Sequence, residues 1–138
     1  MKDILVIDDS RTEQVYLRNL LAGHGYHVRS AFDAEQAWRA LQAQPPDLIL
    51  MDVVMPGTNG FALTRTIARH PDFGHIPIVI CSSKRQETDR IWGLRQGARD
   101  YVTKPLDPAE LLHKIGQLLA TRDEDPRERD DGERDPHG

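Results

Sequence analysis

The stretch Ile4-Leu5-Val6-Ile7-Asp8-Asp9-Ser10 runs four apolar residues straight into two carboxylates and a hydroxyl. A short apolar run that stops at polar residues reads as a strand covered on both faces. The same pattern recurs downstream. Leu48-Ile49-Leu50-Met51 meets Asp52 and then Val53-Val54-Met55-Pro56-Gly57. Ile78-Val79-Ile80-Cys81 meets Ser82 and Ser83, and Tyr101-Val102-Thr103 meets Lys104-Pro105. His27-Val28-Arg29-Ser30-Ala31 completes five strand candidates.

Amphipathic segments fill the gaps. Ser10 with Glu13 reads as a capping box that opens a helix carrying Val15, Leu17, Leu20 and Leu21, with Gly23 or Gly25 as its end. Asp33 with Gln36 opens a second, carrying Ala37, Trp38 and Leu41. A third follows Gly60, carrying Phe61, Leu63, Ile67 and Ala68, and a fourth spans 86–96 with Gly97 as its stop. Asp107-Pro108-Ala109-Glu110 is a cap, a first-turn proline and an acid, and starts a fifth helix. Leu111, Leu112, Ile115, Leu118 and Leu119 form its apolar face. Strands alternating with helices predict an α/β fold, a doubly wound parallel sheet.

The 138 residues suit one domain with a core that needs no covalent staple. The lone Cys81 excludes an intrachain disulfide and a cysteine-based zinc site, and reads as a buried thiol. No apolar stretch approaches the ~18 residues that span a bilayer, and no signal-peptide pattern is visible. A soluble, cytoplasmic protein is the expectation. The net charge of -4 argues against non-specific nucleic-acid binding.

That charge is unevenly placed. Residues 122–138 hold eight acids and four bases, which accounts for all of it, and residues 1–121 hold 14 of each. The 122–138 segment has no apolar residue and is broken by Pro126, Gly132 and Pro136, so a disordered charged tail is expected after a domain at 1–121. His24, His27, His70, His75, His113 and His137 show no metal-ligand spacing and read as surface residues.

In a doubly wound sheet, functional groups gather beyond the carboxyl ends of the strands. Those ends carry Asp8, Asp9, Asp52, Ser82, Ser83 and Lys104. Three carboxylates brought together repel, and a divalent cation removes the conflict. An oxygen-only ligand set suits magnesium, or manganese, rather than zinc. A carboxylate not fully used by the metal can attack phosphorus and become an acyl phosphate. A lysine and a hydroxyl facing the transferred group would stabilise its charge.

This constellation resembles the receiver domain of two-component response regulators. The match covers residues 2 to about 121 and rests on Asp8-Asp9, Asp52 with Met55-Pro56-Gly57-Thr58-Asn59-Gly60, Ser82, and Lys104-Pro105. The resemblance implies a flavodoxin-like fold with strand order 2-1-3-4-5. It implies that Asp52 accepts phosphate from a sensor histidine kinase or phosphotransfer protein. Magnesium would bind at Asp8, Asp9 and Asp52 with the backbone carbonyl of Val54. Lys104 and Ser82 would contact the phosphate, Ser82 and Tyr101 would form the switch, and the Lys-Pro bond is usually cis in the family. A downstream protein would bind the surface of helix 4, strand 5 and helix 5. The chain would then be a signalling switch rather than an enzyme, a monomer or weak dimer that contacts neither nucleic acid nor membrane. The stretch from Lys84 to Tyr101 looks like that of stand-alone receivers in type IV pilus twitching-motility systems.

Plainer readings stand beside these. Asp8 could be a helix N-terminal charge, Asp52 a turn residue, and Ser82 and Ser83 caps of the fourth helix. Tyr101 could be core and Trp92 a partly buried helix residue. An aspartate-nucleophile phosphatase commonly has a second acid two residues after the nucleophile, where Val54 stands. A flavin or nucleotide site needs phosphate-binding donors after the first strand, where Asp8-Asp9-Ser10 stands. A scaffold that needs no phosphate would not require the full acid set and lysine. With no output motif after residue 121, signal is expected to leave through protein contact or through phosphate drain.

Overall fold

The computed structural model describes residues 1–124, with side chains to 121. Strand β1 (Asp3–Ile7) leads into α1 (Arg11–Ala22), β2 (His27–Ala31), α2 (Ala34–Ala43) and β3 (Leu48–Met51). A short hairpin, β4 (Val54–Met55) and β5 (Thr58–Asn59), precedes α3 (Gly60–Arg69). Then come β6 (Ile78–Ser82), α4 (Glu87–Arg95), β7 (Asp100–Thr103) and α5 (Pro108–Glu124). The main sheet is parallel, in the order β2-β1-β3-β6-β7. Counting only its five strands, that is the expected 2-1-3-4-5. The β4–β5 hairpin was not foreseen; Gly57 turns it at φ +70°, a conformation that favours glycine.

Alternation along the strands divides the core. Leu5, Ile7, Ile49, Met51, Ile78 and Ile80 face α2 and α3 through Ala37, Leu41, Leu63 and Ile67. Ile4, Val6, Leu48, Leu50, Val79, Cys81 and Val102 face α1 and α5 through Leu17, Leu21, Leu111, Ile115 and Leu119. The interior strands are therefore apolar on both faces, as parallel strands under helices must be. Cys81 is buried and free, and burial pushes its thiol up to about 12, which makes it inert. At the opposite edge from the strand C-termini, Arg29 grips Asp3 at 2.6 Å and donates to the Ala40 and Gln44 carbonyls at the end of α2.

The caps follow the expected residues with two changes. Ser10 Oγ accepts from the Glu13 N–H at 3.2 Å, but the Ser10 N–H donates to Asp8 Oδ1, so the box is only half closed. Asp33 Oδ1 caps the Gln36 N–H at 2.8 Å, while Gln36 Oε1 reaches one residue further back, to the Phe32 N–H. Ala109 N–H donates to Asp107 Oδ1 at the start of α5. Gln86 occupies the N-cap of α4, so neither Ser82 nor Ser83 caps that helix. Val15 is corrected: it is 57% exposed, and the buried face of α1 is Gln14, Leu17 and Leu21. Five histidines expected at the surface are exposed or half-buried; His137 lies outside the described residues. Helix α5 runs to Glu124, past the expected domain end at 121, and the rest of the expected tail, 125–138, also lies outside them. Among the described residues no helix is long and apolar enough to cross a membrane.

Candidate functional site

The strand order sets β1 and β3 side by side, so their C-terminal residues meet. Asp8 follows β1 and Asp52 follows β3; the Asp52 N–H donates to the Ile7 carbonyl at 2.9 Å and the Asp8 N–H to Ala31 at 3.0 Å. Both carboxylates thus sit one step beyond the ladder on rigid backbone. Asp8 is 2% and Asp52 8% exposed, while Asp9 is exposed. One oxygen from each of the three can lie within 4.8 Å of the others. No nitrogen or sulfur joins that set. Its chemistry fits a hard divalent cation with oxygen ligands.

Lys104 reaches across from the end of β7. Its Nζ donates to Asp8 Oδ2 at 2.9 Å and Asp52 Oδ2 at 3.3 Å. Its own N–H donates to the Ser82 carbonyl at 2.9 Å, fixing the root of the side chain on the neighbouring strand. The Lys104–Pro105 bond is cis. The other oxygens are also held: Asp52 Oδ1 accepts from the Val54 N–H at 3.0 Å, and Asp8 Oδ1 from Ser10. Burial pushes the Asp52 carboxyl above its ordinary range; the Val54 N–H and Lys104 oppose that rise and the Asp8 charge adds to it. Burial disfavours the Lys104 charge, but the Asp8 hydrogen bond and the charges of Asp52, Asp8 and Glu13 outweigh it and hold the amine above its usual value. The result is a carboxylate cluster bound to one ammonium, with more negative charge than that ammonium can balance.

Ser82 ends β6 and is fully buried. Its Oγ accepts from the Lys84 N–H at 3.2 Å, and the Lys84 carbonyl accepts from the Tyr101 hydroxyl at 2.7 Å. Tyr101 is buried, and burial pushes its phenol upward against a lowering contact from Ser82. Its ring lies against Gly93 of α4, where an added Cβ would stand 3.0 Å from Cδ2. Tyr101 is therefore a buried ring with a hydrogen-bonded tip, as the core reading expects.

Two contributors carried no signal in the sequence, and a third, Gly60, reads there only as a motif and helix-start residue. The Lys84 backbone links Ser82 to Tyr101 and would read as loop. Gln14 is polar on a buried face; its Nε2 lies at 2.9 to 3.0 Å from the Val6, Asp8 and Ala31 carbonyls and ties α1 to the strand ends. Gly60 lets α3 approach so closely that a Cβ there would stand 2.3 Å from Val53 Cα and 2.8 Å from the Asp52 carbonyl oxygen. On the outer surface, Trp92 and Ile91 of α4 are 50% and 43% exposed, so Trp92 is partly buried and still presents half of its surface to solvent.

Residues 4–116 match the family model of the response regulator receiver domain. The chain belongs to that family. It is 45% identical over 120 residues to Protein PilH of Pseudomonas aeruginosa, covering 87% of this chain and 99% of that one. It is 36% identical to the phosphate regulon transcriptional regulatory protein PhoB of the same species, but spans only 52% of its length. A putative response regulator from Chloroflexus aurantiacus superposes with a TM-score of 0.82 at 33% identity, covering 86% of this chain and 98% of that one. Vibrio cholerae chemotaxis protein CheY4 gives 0.80 at 26%, covering 86% and 98%. The expected receiver fold is thereby met, as is membership of a family of two-component signalling switches.

Proposed function

We propose that this receiver accepts a phosphoryl group on Asp52 from the phosphohistidine of a sensor kinase or phosphotransfer protein, and that the acyl phosphate resets a protein-binding surface. The observation that carries the reading is the Lys104 ammonium bridging Asp8 and Asp52 at 2.9 and 3.3 Å beside Asp9. An Asp52 oxygen attacks phosphorus as the P–N bond breaks, and the imidazole leaves with that electron pair. The Val54 N–H and Lys104 hold the nucleophile in one orientation. Asp8, Asp9 and Asp52, with the Val54 carbonyl, would hold magnesium, or manganese; the ion supplies neutralisation of the acids and of the transferring oxygens. Lys104 then turns its N–H groups to the phosphoryl oxygens.

A phosphoryl group carries about -1.5 to -2 charge and three strong acceptors. Ser82 Oγ is the nearby hydroxyl that can donate to it. In doing so it would leave the Lys84 N–H, and the 82–84 segment that accepts from Tyr101 would shift. Tyr101 lies between that segment and Gly93, so the change is delivered to α4, β7 and α5. Exposed Ile91 and Trp92 on α4 suit a downstream protein partner there. The 45% identity to PilH over almost its full length supports the narrower reading, a stand-alone receiver in a pilus twitching-motility or chemotaxis pathway. A cytoplasmic location and a monomer or weak dimer are part of the same proposal.

Acetyl phosphate with magnesium should add one phosphoryl mass to the intact protein, and Asp52→Asn should abolish the addition. Stoichiometric labelling of the Asn variant would exclude Asp52 as the acceptor.

A further inference from the structure

Lys104 faces a third carboxylate that the reading above does not use. Glu13 Oε1 lies 3.8 Å from its Nζ. The capping box does not hold Glu13 in place, because the Ser10 N–H that it would accept is taken by Asp8 Oδ1. The side chain instead turns toward the strand ends. Glu13 stands outside the three-acid group that can share a cation. Its charge acts on Lys104 alongside those of Asp8 and Asp52. It also lines a surface cleft of about 390 Å³ with Thr12, Tyr16, Pro105 and Leu106, so a phosphoryl donor approaching from that side meets it.

We propose that Glu13 is a positioning residue that restrains Lys104 and thereby slows phosphorylation of Asp52. The inference rests on Asp52 as acceptor and Lys104 as phosphate contact. Three carboxylates share one ammonium at 2.9, 3.3 and 3.8 Å. An arriving phosphoryl group must win that ammonium from them. Asp8 and Asp52 can pass their charge to a shared cation, whereas Glu13 keeps its hold. With acetyl phosphate, an Asp52 oxygen attacks phosphorus, the P–O bond to the acetyl group breaks, and acetate leaves with the electron pair. Releasing Lys104 from Glu13 lowers the barrier to that step.

Glu13→Gln preserves size and removes the charge, and the Ser10 cap is untouched because it uses the Glu13 backbone. Acetyl phosphate should label Glu13→Gln about three- to tenfold faster than wild type, the scale of one unit charge about 4 Å away in a water-like dielectric. Glu13→Ala should behave alike. Magnesium affinity, read by isothermal titration calorimetry, should stay level or fall, because a nearby anion is gone. A merely structural lesion would instead depress both phosphorylation and magnesium binding. The gain should be absent when Lys104 is also replaced by Ala. A rate slower than wild type or within about 1.5-fold of it, or an equal gain in the Lys104→Ala background, would overturn the proposal. If the wild-type chain takes no label at all, the underlying acceptor assignment fails instead.

Discussion

Asp52 shows how one buried side chain can be held against its own stability. Burial pushes its carboxyl above the ordinary value of 3.8, so the folded chain binds that proton more tightly than the unfolded chain. The sign follows from linkage: this group favours folding below pH ~3.8, and the advantage is lost as pH rises through the folded value. At neutral pH the ionised carboxylate is a net strain on the fold in magnesium-free buffer. Asp52→Asn, with chelator present, should therefore melt higher at pH 7, by about 3–6 °C if the relief is about 1 kcal/mol. The gap should close as pH is taken toward 4 in thermal melts; a variant that melts lower at pH 7 would refute the strain. At this scale the acids and Lys104 were legible because a strand followed by a charge is a strong, local pattern. Gln14, Glu13 and Lys84 were not. Gln14 acts through carbonyls brought near it only by the sheet, Glu13 through a lysine 91 positions away (104 − 13), and Lys84 through its backbone alone.

Helix starts were readable for the same local reason, since a cap and its N–H lie within three residues. The hairpin β4–β5 was not, because strands of two residues have no periodicity to detect. Yet that hairpin and the start of α3 fix the loop that bears Asp52. Asn59 caps α3 through the Phe61 and Ala62 N–H groups, and Gly60 sits against the backbone of residues 52 and 53. A Cβ 2.3 Å from Val53 Cα meets main chain, which has no rotamer to escape into. Gly60→Ala should destabilise the protein by about 2–4 kcal/mol, in the range of core overpacking and above. It should also slow Asp52 phosphorylation more than a distant substitution of equal ΔΔG, because the displaced segment carries the nucleophile. Denaturant melts paired with acetyl phosphate labelling would check both; an unperturbed labelling rate would show that the loop tolerates the shift. Gly93 makes the corresponding allowance on α4, where the neighbours are the Ile80 and Tyr101 side chains rather than backbone, so the same added methyl meets groups that can move.

Across the whole molecule, the sheet is where local signals become a site. No residue pattern names β1 and β3 as neighbours; the strand order does, and the switch in that order places Asp8, Asp52 and Lys104 at one edge. The net charge of -4 has no part in that edge, since residues 1–121 are balanced and 122–138 carry the excess. The α1–α5 side of the core is closed by Leu111, Ile115 and Leu119, the last of which is 4% exposed. Residues 122–138 contain no apolar side chain that could extend it. Each long polar side chain would cost up to ~2 kcal/mol of entropy to order, with no apolar burial to offset it. We therefore propose that the chain beyond Glu124 is not needed for folding or for phosphorylation. Deleting residues 125–138 should leave Tm within about 2 °C of wild type, less than the shift from 1 kcal/mol in a domain this size. The acetyl phosphate labelling rate should also be unchanged. The full deletion discriminates because it removes six acids and three bases at once. If long-range charge from this segment reached the three-acid edge, the labelling rate would rise on deletion and the rise would fade with added salt.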